Sequence, residues 1–298
     1  MTSPRVSIVI PTYNQAAFLK EALESVRAQT VTDWEAIVVD NHSDDGTLQV
    51  LESFDDPRLS WDRIHNEGII ARSRNRGTAR ARADWVAFLD SDDRWRPDKL
   101  ARCLEAAGPG VDVLGHHLSM FRGDQEVRVH RSGPLAATDY RALLYDGPCL
   151  TPSAALVRRD WLGRVGGYSE DPAYRTAEDW DLWLKLARDG ARFAILDAVL
   201  TDYRVHEASS SRSVEAHRDA SLRILADHMA AMDPVTDADR RGQRNRAALV
   251  CYGAARAALA AGQGRLAAAN ARRALGFDPL LGRAWAVALV GLVPGLRL

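Results

Sequence analysis

Cysteine is scarce in this chain: Cys103, Cys149 and Cys251 are an odd number, spaced unlike any zinc or thioredoxin motif. Their scarcity excludes a disulfide scaffold and predicts a reducing, cytosolic compartment. The dinucleotide fingerprint GxGxxG and the P-loop GxxxxGK[ST] are both missing, which removes the simplest nucleotide-binding readings. The opening residues, MTSPRVSIVIPTYN, lack the basic region, long apolar stretch and small-residue cleavage site of an export signal. Net charge is nearly absent as well: a formal value of -1 argues against a general nucleic-acid binder. No convincing repeat or low-complexity linker divides the chain.

What is present is charge distributed unevenly. Residues 1–210 carry 26 Lys+Arg against 33 Asp+Glu, a net of -7, whereas residues 211–298 carry 13 against 7, a net of +6. An acidic part suited to metal-assisted chemistry therefore precedes a basic tail suited to phosphates, an anionic membrane or its own domain. Apolar and charged contents of 46% and 27% are those of a globular protein. A chain of this length buries roughly 75% of its unfolded surface.

The organising stretch is residues 83–95, ADWVAFLDSDDRW. Trp85 to Leu89 has the length and side chains of a buried strand, and it runs into Asp90, Asp92 and Asp93. A central strand of an open α/β sheet delivers acidic groups to its carboxyl edge in this way, where ligands bind. Like charges this close call for a positive partner. Upstream, residues 6–10 (VSIVI) and 34–39 (WEAIVV) read as strands on either side of a helix striped by Phe18, Leu19, Ala22, Leu23 and Val26 and capped by Asn14. This βαβ unit puts loops 11–14 and 40–47 on one sheet edge.

Helices are expected over 47–54, 69–83, 98–107 with Pro97 at the first helical position, 140–145 and 159–165; strands over 58–61, 111–118, 125–131 and 153–158. Residues 177–188 (AEDWDLWLKLAR) read as a helix with Glu178, Asp179 and Asp181 in its first turn, where carboxylates meet exposed backbone N–H groups. A strand over 193–200 follows. From Val214 onward the pattern is helical only, over 214–229, 237–260, 265–275 and 280–293. The change near Ser211 sets the expected boundary between an α/β domain over 1–210 and a helical extension over 211–298.

Several side chains could carry chemistry, each against a plainer alternative. Asp90, Asp92 and Asp93 suit Mg2+ or Mn2+, which are held by one or two carboxylates plus substrate phosphates; the alternative is a solvated turn. In residues 40–47 (DNHSDDGT) Asp40 can accept an N–H from a base, although such residues are also good turn formers. Tyr13 suits stacking on a base, or covers the helix start. Of the arginines at 72, 74, 76, 80 and 82, Arg74 is the candidate for diphosphate oxygens, the others being solvated surface. Glu178 and Asp179 can take a proton from an attacking hydroxyl, or simply compensate the helix dipole. His206 is a metal or phosphate ligand, or a surface histidine. Residues 284–295 (AWAVALVGLVPG) are too few to cross a bilayer; as a helix they suit a membrane interface beside the basic residues 240–273, or packing on their own domain.

In this order and spacing, VSIVIPTYN, VVDNHSDDGT, NRG, WVAFLDSDDRW and AEDWDLWLKLA resemble the family 2 inverting nucleotide-sugar glycosyltransferases, over residues 6–211. The resemblance implies a GT-A (Rossmann-like) fold: a mixed, mainly parallel α/β sheet flanked by helices, here with a C-terminal helical appendage. It implies that Thr12 and Tyr13, with Asn14 beside them, contact the nucleoside, and that Asp40 accepts the uracil N3–H. It implies Asp92 near the ribose and metal, Asp93 as direct metal ligand with Asp90 in support, Arg74 at the diphosphate and His206 as a further ligand. Asp179 is then the general base, with Glu178 orienting the acceptor. Residues 66–77 (NEGIIARSRNRG) are one residue longer than the family's usual spacing. The implied reaction moves a sugar from a nucleoside-diphosphate donor, UDP-linked by the Asp40 analogy, with Mn2+ or Mg2+, to a glycan or glycolipid hydroxyl, in the cytoplasm or at the inner face of the cell membrane. Two rivals share these features: a metal-dependent sugar nucleotidyltransferase, and a nucleotide-sugar binding protein without turnover.

Overall fold

The computed structural model of the chain describes residues 3–123, 125–205 and 213–291. Two compact units emerge. The first gathers Met1–Asp139, Pro148–Glu170 and Leu182–Glu207; the second gathers Tyr140–Gly147, Asp171–Asp181 and Ala208–Leu298.

The first unit is built on one sheet of nine strands: β1 (Val6–Thr12), β2 (Trp34–Asp40), β3 (Leu59–Arg63), β4 (Trp85–Phe88), β5 (Arg94–Trp95), β6 (Val113–Arg122), β7 (Gln125–His130), β8 (Ala155–Arg158) and β9 (Phe193–Arg204). Their order is β3-β2-β1-β4-β8-β6-β9-β5, with β7 on β6. The run β3-β2-β1-β4 is parallel, as helical crossovers require. β8 is antiparallel to β4 and β6, and β9 returns parallel to β6, so the sheet is mixed.

The crossover helices are α1 (Ala16–Arg27), α2 (Thr47–Ser53) and α3 (Ile70–Arg80), followed by α4 (Lys99–Ala106). β1 is buried along its whole length, so its two faces need two covers. Ile8 and Ile10 share a core with Leu19, Ala22, Leu23 and Val26 of α1. On Val9, α3 comes so near that a Cβ built on Gly77 would stand 2.4 Å from Val9 Cγ1; only glycine allows that approach.

Two expectations at helix starts need correction. Asn14 does not cap α1: it adopts a left-handed φ of 50°, and its Oδ1 accepts the Asp44 N–H instead, while Asp45 accepts the Ala16 N–H. Pro97 lies ahead of α4, whose N-cap is Asp98. The last strand also outruns its apolar signal, which stops at Leu200, by four residues, because β5 and β6 go on pairing with it.

The second unit is helical: α5 (Tyr140–Asp146), the first turn of α7 (Glu178–Arg188), α8 (Val214–Ala230), α9 (Asp237–Ala260), α10 (Gly264–Phe277) and α11 (Gly282–Val290); α6 (Arg159–Arg164) belongs to the first unit. Thr236 and Asp239 form a capping box at the start of α9, and Asp239 also accepts from Arg141 and Tyr145 of α5. Its interior is alanine-rich, with Ala255, Ala258, Ala267 and Ala271 in one cluster. Among the described residues no helix is long and apolar enough to cross a membrane.

Candidate active site

Parallel register sets Thr12 beside Asp40 at the carboxyl ends of β1 and β2. The Thr12 hydroxyl is buried with no hydrogen-bond partner, an acceptor and donor left over by the fold. Next to it Tyr13 is 55% exposed, which leaves its ring open to solvent. Asn14 ties the two loops together: its N–H donates to Ser43 Oγ at 2.8 Å and its Oδ1 accepts from Asp44 N–H at 2.9 Å. Asp40 is fully buried and accepts from the Ser43 N–H and hydroxyl and from Arg63 Nε at 2.9 Å. Arg63 escaped the sequence reading; it pairs in register with Asp40 from β3, which nothing short of the strand alignment reveals.

Beyond β4 the acidic loop has the positive partners its charge demands. Arg74 is buried in α3 and donates through Nη2 to Asp90 Oδ1 at 2.7 Å, with its guanidinium 5.2 Å from the Tyr168 ring centroid. Arg74 is therefore held inside the fold by Asp90. Arg204, at the end of β9, gives its backbone N–H to Asp93 Oδ1 (2.9 Å), its Nε to the Asp92 carbonyl (2.9 Å) and its Nη2 to Glu21 (2.6 Å). It too was missed, since the strand carrying it runs past its apolar residues.

Asp93 is 1% exposed; its Oδ2 is buried with no donor in hydrogen-bond geometry, while the Ser153 hydroxyl lies near enough to act on the carboxyl. Burial, and then the neighbouring Asp92 and Asp90, raise its carboxyl well above the ordinary range. An unpaired carboxyl oxygen beside two further carboxylates is what a hard divalent cation would satisfy, favouring the ionised form against that shift, so the residues fit such an ion. Among the described residues no three His, Cys, Asp or Glu side chains converge on one metal position. The residues that could hold it are Asp93 and Asp92; His206 lies outside the described residues.

Glu178 and Asp179 open α7, as the sequence predicts, and fall within the second unit. Glu178 is buried and Asp179 half-buried, with Asp179 Oδ1 accepting the Trp180 N–H at 2.8 Å. Trp180 anchors the turn by donating Nε1–H to the Leu143 carbonyl at 2.9 Å. One position on, Asp181 is buried and meets His228 Nε2 at 3.0 Å, while His228 Nδ1 meets the Tyr140 hydroxyl at 3.1 Å. Just ahead of the turn, the Tyr174 hydroxyl donates to Asp227 at 2.9 Å and His217 Nδ1 lies 2.9 Å from the Thr176 carbonyl oxygen. Helix α8 thus brackets the Glu178–Asp179 turn on both sides.

The model of glycosyl transferase family 2 matches residues 7–166, more than half of the chain. The chain belongs to that family. Within the matched residues of this glycosyltransferase fall Thr12, Asp40, Arg74 and Asp90 to Asp93; Glu178, Asp179 and α8 lie beyond them. TuaG of Bacillus subtilis (strain 168), provisionally named a teichuronic acid biosynthesis glycosyltransferase, is 30% identical over 214 residues, covering 70% of this chain and 82% of TuaG. The crystal structure of S. aureus TarS 1–349 in complex with UDP-GlcNAc matches with a TM-score of 0.62 at 19% identity, over 96% of this chain and 90% of that one. The mannosyltransferase PcManGT from Pyrobaculum calidifontis, in complex with GDP-Man and Mn2+, matches with a TM-score of 0.62 at 22% identity, over 97% and 81%. These likenesses bear out the GT-A fold, and family membership bears out the enzyme class.

Proposed function

We propose that this family 2 glycosyltransferase moves a sugar, with inversion at the anomeric carbon, from a UDP-sugar to a hydroxyl of a glycan or glycolipid acceptor at the inner face of the cell membrane. The observation that carries the reading is the buried Oδ2 of Asp93, left without a donor in the acidic loop that follows β4. Thr12 and Tyr13 receive the nucleoside: one brings an unpaired hydroxyl, the other an open ring. Asp40 stands beside Thr12 at the same sheet edge, and the uracil N3–H would take the place of one of the bonds that Ser43 and Arg63 make to it. The TarS and PcManGT complexes with UDP-GlcNAc and GDP-Man support a nucleoside-diphosphate sugar as donor.

Asp93 and Asp92 would hold a Mn2+ or Mg2+, which supplies charge neutralisation at the departing diphosphate. Arg74 neutralises Asp90, so the loop presents its remaining carboxylates without the full repulsion of three. Asp179 takes the proton of the acceptor hydroxyl as that oxygen bonds to the anomeric carbon and the nucleoside diphosphate leaves from the opposite face. Glu178 orients the acceptor.

Two variants separate these roles. Asp93→Asn is expected to weaken donor binding measured calorimetrically with Mn2+. Asp179→Asn is expected to leave that binding intact while lowering transfer by about 10²–10⁴-fold. Equal retention of turnover in both would defeat the reading, and release of pyrophosphate in place of nucleoside diphosphate would make the enzyme a nucleotidyltransferase.

A further inference from the structure

The last two helices are packed inside out relative to a water-facing pair. α11 buries Ala284, Val287 and Ala288 and leaves Trp285 53% and Leu289 65% exposed. Trp285 and Leu289 are four residues apart and share one face. The seat on α10 requires small residues: a Cβ on Gly291 would meet Gly264 O at 2.5 Å, and one on Gly264 would meet Gly291 O at 2.7 Å. Trp285 donates its Nε1–H to the Pro279 carbonyl at 3.0 Å, which sets the indole against the α10–α11 turn, where Leu280 is 91% and Phe277 41% exposed. Large apolar side chains therefore gather on the outside of one corner while alanines fill the inside. Scattered single residues would need no explanation, but a contiguous group does.

The charge along this part of the chain is one-sided, with Asp219 of α8 the acidic neighbour, 3.8 Å from Arg273. Residues 240–298 hold ten arginines, no lysine and one carboxylate, Asp278, whose Oδ1 already accepts the Leu280 N–H. Eight of the ten arginines are exposed. Arg265 and Arg272 lie two turns apart on the outer face of α10, and Arg283 flanks Trp285 on α11. Guanidinium groups form forked hydrogen bonds to phosphate oxygens, which ammonium groups do not. A second copy of the same corner would be repelled by this charge, and a nucleic acid would leave the apolar group in water.

We propose that the α10–α11 corner is a docking surface for an anionic lipid bilayer. Trp285, Leu289, Leu280 and Phe277 enter the headgroup region, and the surrounding arginines engage lipid phosphates. Among the described residues no helix is long and apolar enough to span, so the contact is interfacial and reversible.

The full chain is mixed with vesicles of phosphatidylcholine alone or of phosphatidylcholine with phosphatidylglycerol, and the bound fraction is read by flotation. Binding is expected to the anionic vesicles only and to fall with salt. The double variant W285A/L289A is expected to lose at least about tenfold in partitioning with unchanged nucleoside-diphosphate release, because both side chains lie outside the donor site; melting is read alongside, since the Trp285 bond to the Pro279 carbonyl is lost. The control V127A/V129A alters exposed apolar residues of β7 and is expected to bind as the parent does. Failure to bind either vesicle, equal binding to both, or full binding by W285A/L289A overturns the proposal. So does a dimer that W285A/L289A dissociates, since a second copy would then be what covers the corner.

Discussion

Lys99 shows how far a single side chain can depart from its usual place. It lies fully buried on α4, its Nζ 3.3 Å from the Trp95 ring centroid and without a hydrogen-bond partner. Burial lowers its pKa from an ordinary 10.5 to about 7, pushes the Cys103 thiol one turn further on up to about 11, and brings His116 down to about 3. Between those two lysine values the unfolded chain holds a proton that the folded chain has released, so the unfolded state binds more protons and stability rises with pH over that window. Lys99→Met removes the burden. The variant is expected to exceed the parent in stability by about 2–4 kcal/mol near pH 7 and to converge on it near pH 10.5. Urea unfolding across that range reads the effect, and an advantage that does not change with pH would refute it. The helical pattern over residues 98–107 is plain in the sequence. That Lys99 faces the core is not, because an aliphatic stem with an ammonium tip is read as surface until a neighbouring ring is known to cover it.

At the scale of elements, the relation between α7 and α8 matters most for the proposed chemistry. The sequence shows α7 and its acidic first turn, and it shows α8 as a helix beginning at Val214. It does not show that His228 reaches Asp181 or that Asp227 receives Tyr174, partners separated by 47 and 53 residues. If α8 fixes the Glu178–Asp179 turn, loosening it should cost turnover more than binding. His228→Ala is expected to lower kcat by about 10–100-fold while changing the donor KM little, since small displacements of a catalytic group carry penalties of that size. His228→Gln, which keeps a hydrogen-bonding group toward Asp181, is expected to recover part of the loss. A fall in stability with unaltered kcat in the folded fraction would reduce His228 to a packing residue.

Across the whole molecule the two units are interleaved, the chain passing from one to the other five times. Every string that carries the family resemblance lies before residue 211, and the family match ends at 166, yet two segments in that range are held by later helices. Cutting the chain after residue 210 removes His228 from Asp181 and Tyr140, Asp227 from Tyr174, and Asp239 from Arg141 and Tyr145. Such a truncated chain is expected to show no measurable sugar transfer and rapid proteolysis within residues 140–147 and 171–181. Full turnover by it would show that the helical unit has no part in the chemistry.

By itself the sequence determined the helices and every strand but the two-residue β5, the acidic loop after β4, the acidic first turn of α7 and the family, because each is written in local periodicity, turn residues and short strings. The pairings were decided only by the tertiary structure. Arg63 on Asp40, Arg74 on Asp90, Arg204 on Asp93 and His228 on Asp181 join residues 16 to 111 positions apart. Sheet register and helix packing create those neighbours, and a chain read in order carries no local mark of which distant side chain the fold will bring alongside.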